Sequence, residues 1–383
     1  MENGTLQSSR IERIVKPDAQ TVLREIARRH APFIVTDVVT GWRSFTAWSL
    51  AHLEERVGDR MVSVAASPTK VFHYGSKDFS RMQTREMRFR DVIRHIAAAA
   101  DQSGERLYIM EQQQAGRRLS FAEAYPELAD DLVLPPGIET GELLQVNLWV
   151  GEAGNVTPLH FDIENNFLAQ IIGRKRVTLF DPGQTGYLYP NGSRSCLNNT
   201  SQVQLLAPDF DRHPRFRQAR GVECIVNAGE MLFIPPFWWH QVESLDPAVS
   251  INFWWKPQFE QWLNPMGIQL LYRRYDLGTL AGLCSEVSVE FADFARLAAH
   301  CLERGHKCLA VLLAKTDLEA RCHEQPALVE AAMDSWGDVL VKAASGNDAE
   351  LHESQVAVVL ESLADVPRVA PVQARDVGID KLQ

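Results

Sequence analysis

Between residues 143 and 255 the chain is cut into short β-type runs: LLQVNLWVG, FLAQIIG, KRVTLFDP, GVECIVNAGEMLFIP, HQVESL and VSINFWWK. Gly, Pro, Asn and Asp separate them. Many short strands with turn residues between them argue for a β-sandwich or barrel. The texture differs on both sides. Residues 17–30 open with Pro17 and Asp18 and then place apolar residues at helical spacing, which reads as a capped helix. APFIVTDVV (31–39) reads as a buried strand, 45–58 and 88–100 as helices, and RLYIMEQ (106–112) as a strand. After Pro257 helical spacing returns over 259–275, 288–304, 306–321, 326–345 and 352–364. Pro326 stands where a first helical turn tolerates it. Residues 366–383, with Pro367 and Pro371, read as a loose tail. Three segments follow: an α/β elaboration (1–142), a β core (143–257) and a C-terminal helical domain (258–383).

A chain of 383 residues, 45% hydrophobic and 23% charged, is long enough for two or three domains and is neither disordered nor fibrous. Its net charge is −10. The acid is uneven: residues 260–383 hold 11 basic and 19 acidic side chains, residues 1–259 hold 28 and 30. This balance argues against nucleic acid as a partner, because phosphate binding leaves a basic footprint. The six Cys form no CxxC pair, the N-terminus has no apolar core of a signal peptide, and no apolar run is long enough to span a bilayer. The expectation is a cytoplasmic chain with free thiols and no membrane partner.

The residues that carry chemistry lie in the strand-rich region. His160 and Asp162 in TPLHFD are two apart, so one strand face presents an imidazole and a carboxylate. His240, in IPPFWWHQVES, is the candidate third ligand. Two His and one carboxylate form a facial triad with open metal positions, a set suited to non-haem Fe(II). HxD alone also fits a turn-proximal His beside a solvated Asp. Trp238 and Trp239, next to His240, either wall a dry pocket or simply pack a core. Lys175 lies within Arg174-Lys175-Arg176, which ordinarily reads as surface; turned inward it would need an anion such as a dicarboxylate. Thr157 places a hydroxyl three residues before His160. Asn166 and Asn252 are amides in otherwise apolar strands, where a satisfied core Asn is the plainer reading.

GNVTPLHFDIENNFLAQIIGRKRVTLFDP, GEMLFIPPFWWHQVES and SINFWWKP, in that order, resemble the JmjC/cupin family of Fe(II)- and 2-oxoglutarate-dependent oxygenases. The likeness runs over about residues 10–257, through PFIVTDVV, ASPTKVFHY, EMRFRDVI and ERLYI. Within the family it is nearest to the asparaginyl hydroxylase branch that acts on hypoxia-inducible factor. The resemblance implies a double-stranded β-helix (cupin/JmjC jelly roll) and the co-substrates 2-oxoglutarate and O2. It implies His160, Asp162 and His240 as iron ligands. Tyr108, Thr157 and Lys175 would hold the distal carboxylate of 2-oxoglutarate, Asn166 and Asn252 would lie near its metal-proximal end, and Trp254 would wall the pocket. The substrate side departs from that branch. Met110, Asn199 and Thr200 stand where it grips a substrate amide, and Leu168 replaces an aromatic; Trp239 completes that side. Asparagine as target therefore does not carry over.

The implied activity is hydroxylation of an amino-acid residue in a protein or peptide, with release of succinate and CO2. The same chemistry on a tRNA base or a methyl-lysine (demethylation), and a metal-binding cupin without catalysis, remain as alternatives. Related oxygenases dimerise through helices just after the barrel, and Phe259, Trp262, Leu263, Ile268, Leu270, Leu271 and Tyr272 supply a stripe suited to a homodimer.

Overall fold

The computed structural model describes residues 6–7, 11–72, 83–98, 104–110, 113–114, 117–191, 199–257, 261, 294–303, 305–321, 326–344 and 348–364. The chain divides into two compact units, residues 1–268 with 287–289, and residues 269–286 with 290–383.

Among the described residues sixteen strands build the first unit: β1 Leu6–Gln7, β2 Arg13–Val15, β3 Phe33–Thr36, β4 Met61–Ser67, β5 Gln83–Arg88, β6 Arg106–Met110, β7 Gln113–Gln114, β8 Arg117–Arg118, β9 Leu143–Gly151, β10 Val156–His160, β11 Asn165–Ile172, β12 Lys175–Phe180, β13 Gly221–Val226, β14 Met231–Ile234, β15 Trp239–Ser244 and β16 Ala248–Trp255. A nine-stranded sheet runs β2-β3-β14-β11-β16-β9-β6-β4-β5, and a five-stranded sheet runs β1-β13-β12-β15-β10. Leu168, Leu232 and Ile34 of the larger sheet pack with Val177, Leu179, Val226 and Val242 of the smaller. The two sheets thus face each other across an interior, as the expected cupin-type jelly roll.

Alternation along the central strands decides what faces where. On β11, β16 and β9, Phe167, Ala169, Ile171, Val249, Ile251, Phe253, Leu148 and Val150 share one face. That face forms a continuous core with α1 (Ala19–Arg29), α3 (Leu50–Val57) and α4 (Phe89–Ala98) through Val22, Ile26, Leu53, Val57, Val92 and Ile96. The opposite face turns inward and is more polar: Asn166, Leu168 and Gln170 on β11; Ser250, Asn252 and Trp254 on β16; Gln145, Asn147 and Trp149 on β9.

The expected helix 17–30 starts where Asp18 Oδ1 accepts from Thr21 N at 2.8 Å. The expected helix 45–58 is two: α2 (Arg43–Ala47) ends at Trp48, which is extended, and α3 begins because Ser49 Oγ accepts from His52 N at 3.1 Å. Trp48 is held out of the helix by its indole N–H, which donates to the buried Asp131 carboxylate at 2.8 Å. A short α5 (Phe121–Ala124) carries a Ser120/Glu123 capping box.

The second unit holds α6 (Phe294–Glu303), α7 (Lys307–Arg321), α8 (Pro326–Ala344) and α9 (Glu353–Ala364). Leu309–Leu313 of α7 are buried, and Trp336 of α8 donates from Nε1 to Ser362 Oγ of α9 at 2.8 Å. The expected helix 259–275 apart from Gln261, its dimerisation stripe and the tail 366–383 lie outside the described residues. No described helix is long and apolar enough to cross a membrane. Cys224, Cys301 and Cys308 are buried and take part in no disulfide.

Candidate metal centre

β10, β15 and β12 lie side by side in the smaller sheet, with His160 opposite His240 and His240 opposite Leu179. The imidazole centroids of the two histidines are 4.2 Å apart. Asp162 completes the group: its carboxylate oxygens lie 3.9 Å from His160 Nε2 and 3.6 Å from His240 Nε2. One ligand atom from each of the three residues falls within 4.8 Å of the others. β10 ends at His160, so Asp162 belongs to the loop after the strand and not to the strand face expected from its spacing. That loop is pinned from two sides. Phe237 N donates to the Asp162 carbonyl at 2.8 Å, and Phe161 N donates to the Asn199 carbonyl at 2.9 Å. Phe237 sits at φ 65°, a costly conformation for a large side chain, immediately before the strand that carries His240.

Both histidines are set up as ligands. His160 Nδ1 lies 2.8 Å from the Pro158 carbonyl and His240 Nδ1 lies 2.9 Å from the Trp238 carbonyl. A carbonyl only accepts, so each Nδ1 carries the proton and each Nε2 keeps its lone pair for the shared point between the residues. Burial, with the neighbouring His160, pushes the His240 imidazole down to about 4, so it is neutral near pH 7, the form that binds a metal.

Lys175 opens β12 on the interior face and is 1% exposed. Its Nζ crosses to the larger sheet, donating to Ser250 Oγ at 2.6 Å and lying 3.5 Å from Tyr108 Oη. The Tyr108 and Trp149 rings stand 5.9 and 6.0 Å from it. Among the described residues no carboxylate is within ion-pair distance. Burial pushes this lysine down to about 7. Burial also raises Tyr108, so its phenol keeps its proton, and a hydrogen bond with Thr157 opposes that rise. Asn252 Nδ2 donates to Asn166 Oδ1 at 2.8 Å, and both amides are buried on the interior face. Trp254 lies opposite Asn166 on the same face.

The residues read as substrate-facing lie on several sides. Leu168 is buried opposite Asn252. Met110 packs against Tyr108, Trp149, Phe72 and Ala65. Thr200 bridges to His160, and its hydroxyl accepts from Asn191 Nδ2 at 2.7 Å. Asn199 uses its Nδ2 on the Phe161 carbonyl at 3.0 Å. Trp239 and His240 take opposite faces of β15, and the Trp239 indole donates to Thr185 Oγ1 at 2.9 Å while its ring meets Phe161 edge-on. Removing the Asn199 amide takes one side-chain bond from the loop that carries Asp162 and leaves its two backbone bonds. Asn199→Ala is expected to weaken metal binding by about tenfold or more, with modest loss of thermal stability, measured by calorimetric titration with Co(II).

The sequence reading missed Ser250, Trp149 and Asn147. Their signal was polar or aromatic residues at alternate positions of VSINFWW and VNLWVG.

Comparison with known proteins agrees with this architecture. The chain is 35% identical over 228 residues to lysine-specific demethylase 8 of Xenopus tropicalis, covering 58% of this chain and 48% of that protein. It is 31% identical over 259 residues to lysine-specific demethylase JMJ30 of Arabidopsis thaliana, covering 67% and 57%. It is 29% identical over 246 residues to tRNA wybutosine-synthesizing protein 5 of Danio rerio, covering 62% and 73%. The match spans about half the length of the two demethylases. A family model described as a cupin-like domain matches residues 19–261, which take in both sheets' central strands and the whole triad, and the chain belongs to that family.

Proposed function

We propose that the protein is an Fe(II)- and 2-oxoglutarate-dependent dioxygenase that hydroxylates an amino-acid residue of a protein or peptide. The observation that carries the reading is Lys175: a buried lysine, without a carboxylate partner among the described residues, on the same interior as a two-His, one-carboxylate triad. A buried charge needs a counter-charge, and a dicarboxylic 2-oxo acid supplies one while reaching a metal with its other end. The donor set suits Fe(II): two imidazoles oriented through Nδ1 and one carboxylate, leaving the remaining positions open. When bound, Fe(II), 2-oxoglutarate and O2 together supply an oxidant for a C–H bond, with succinate and CO2 as co-products.

The chain's own residues do the positioning. Lys175, with the Ser250 hydroxyl and the Tyr108 phenol, would hold the distal carboxylate; Thr157 fixes Tyr108. The Asn252–Asn166 pair would face the metal-proximal end. The large apolar core behind the sheet keeps this interior closed to water from that side. The likeness to asparaginyl hydroxylases rests on motif order alone. The names of the relatives support a second outcome on the same site, removal of a methyl group from lysine, and a third, a tRNA base. The reading also takes 143–257 as core, 1–142 as its elaboration and 258–383 as a dimerisation or docking domain of a cytoplasmic homodimer. Sedimentation of the full chain tests the dimer.

The test of the chemistry is anaerobic addition of Fe(II) and then 2-oxoglutarate. A visible band from the metal–oxo-acid chelate is expected; its absence at saturation sinks the oxygenase reading in favour of a binding cupin. With O2 and cell-derived peptides, a product gaining one oxygen supports residue hydroxylation. Loss of a methyl group with formaldehyde release, or turnover with tRNA alone, replaces it by the corresponding alternative.

A further inference from the structure

We infer that Asn147, with the Trp149 indole beside it, recognises an amide group of the prime substrate. This rests on the oxygenase reading above and extends it to the substrate's chemistry. Asn147 is fully buried, and neither its Nδ2 nor its Oδ1 has a hydrogen-bond partner. Two positions along β9, the Trp149 Nε1 is likewise buried and unpartnered. Buried polar groups in native proteins are nearly always matched, and leaving one unmatched is costly. Three such atoms on one face of one strand point to a group that arrives later.

Register places them. Asn147 is directly opposite Asn252, and Trp149 is opposite Ser250, the hydroxyl that takes the Lys175 ammonium. Asn252 already gives its N–H to Asn166. Asn147 is therefore one step along the interior from the Lys175 end and flanks the amide pair assigned to the metal-proximal end. β6 pairs with β9 through Tyr108–Gly151, Ile109–Val150 and Met110–Trp149, two residues along β9 from Asn147. Trp149 stands at the Lys175 end, its ring 6.0 Å from Nζ, and Asn147 lies one step farther along β9, toward the amide pair.

The chemistry of the ligand follows from the atoms left unmatched. Asn147 presents one donor and one acceptor in one plane, and Trp149 adds a donor. An ammonium or a guanidinium has donors only and leaves Nδ2 and the indole unmet. A carboxylate or phosphate has acceptors only and leaves Oδ1 unmet. An amide meets all three: its carbonyl accepts from Nδ2 and the indole, and its N–H donates to Oδ1. A peptide bond or a side-chain carboxamide has that form.

The test uses the full chain and Asn147→Leu, close in shape and without polar atoms. In the ligand-free protein Asn147→Leu is expected to unfold at a higher temperature, because an unmatched buried amide is gone. A lower temperature would mean the amide holds the fold, and overturns the inference. With Fe(II) and 2-oxoglutarate bound under anaerobic conditions, acetamide, methylguanidinium and methylammonium are titrated separately, and the visible band and the unfolding temperature are followed. Acetamide is expected to act at about tenfold lower concentration on the parent than on Asn147→Leu, with half-saturation by 2-oxoglutarate the same in both. A preference for either cation that depends on Asn147, no acetamide response in the parent, or weaker 2-oxoglutarate binding in the variant each overturns it. If the parent shows no band at all, the oxygenase reading fails, while an acetamide-induced rise in unfolding temperature that vanishes in Asn147→Leu would still carry the amide site.

Discussion

Lys175→Met is expected to unfold at a higher temperature than the parent and to bind 2-oxoglutarate at least about a hundredfold more weakly. Both effects come from one cause. The ammonium is taken out of water, 2.6 Å from a neutral hydroxyl and 3.5 Å from a neutral phenol, with no carboxylate among the described residues to offset its desolvation. Methionine fills similar space without a charge, so the folded state loses a penalty on the order of a few kcal/mol. The pH dependence has a fixed sign. An unfolded lysine keeps its proton to about 10.5, and the folded one releases it near 7. Between those values the unfolded state binds more protons, so the parent gains stability as pH rises from about 7 toward 10.5. The variant lacks that slope. Ligand binding runs the other way. A carboxylate favours the charged lysine, so above pH 7 binding must take up a proton, and affinity falls by about tenfold per pH unit. Calorimetry of 2-oxoglutarate binding at pH 8, in two buffers of different ionisation enthalpy, reads that proton directly. Unchanged affinity in Lys175→Met would separate the co-substrate from this lysine.

Lys175 also shows why part of the site was legible and part was not. Arg174, Lys175 and Arg176 are indistinguishable by composition. In the fold, strand alternation sorts them: Arg174 pairs with Asp246, Arg176 with Glu243, and Lys175 turns inward. Sequence could state both options; only pairing with β13 and β15 chooses. The triad was readable because its residue types are rare together and its spacing is short, yet the reason for its convergence is not local. It depends on β10 lying against β15 and on the Phe237–Asp162 backbone bond. Asn147, Trp149 and Ser250 escaped because β9 from Asn147 onward and nearly all of β16 are buried on both faces, so hydropathy gives no contrast there between the side against the helices and the side facing the interior. The split of 45–58 into two helices turned on one serine cap and one indole bonded to a distant aspartate. The strand content of 143–255 was legible because turn residues punctuate it. Which sheet each strand joins was not, since the larger sheet pairs Met231 with Val35.

Asp162→Ala is expected to remove the Fe(II)–2-oxoglutarate band and abolish turnover while leaving the fold within about 1 kcal/mol of the parent. Its carboxylate is the only anionic member of the three-ligand group, between imidazoles at 3.9 and 3.6 Å. Without it, two imidazoles remain. They can still hold a divalent ion weakly but cannot fix a face of it or reduce its net charge. The fold is spared because the loop is held by backbone: Phe237 N bonds the residue 162 carbonyl, which alanine retains. Asp162→Asn separates the two contributions, since it keeps an oxygen donor and loses the charge. If charge dominates, Asn and Ala behave alike in Co(II) titration; if geometry dominates, Asn recovers part of the affinity. Parent-like metal affinity in both variants would place the metal elsewhere. Loss of metal with no loss of the protein's activity would return the barrel to a binding role, and Lys175 would then need an anion other than a 2-oxo acid.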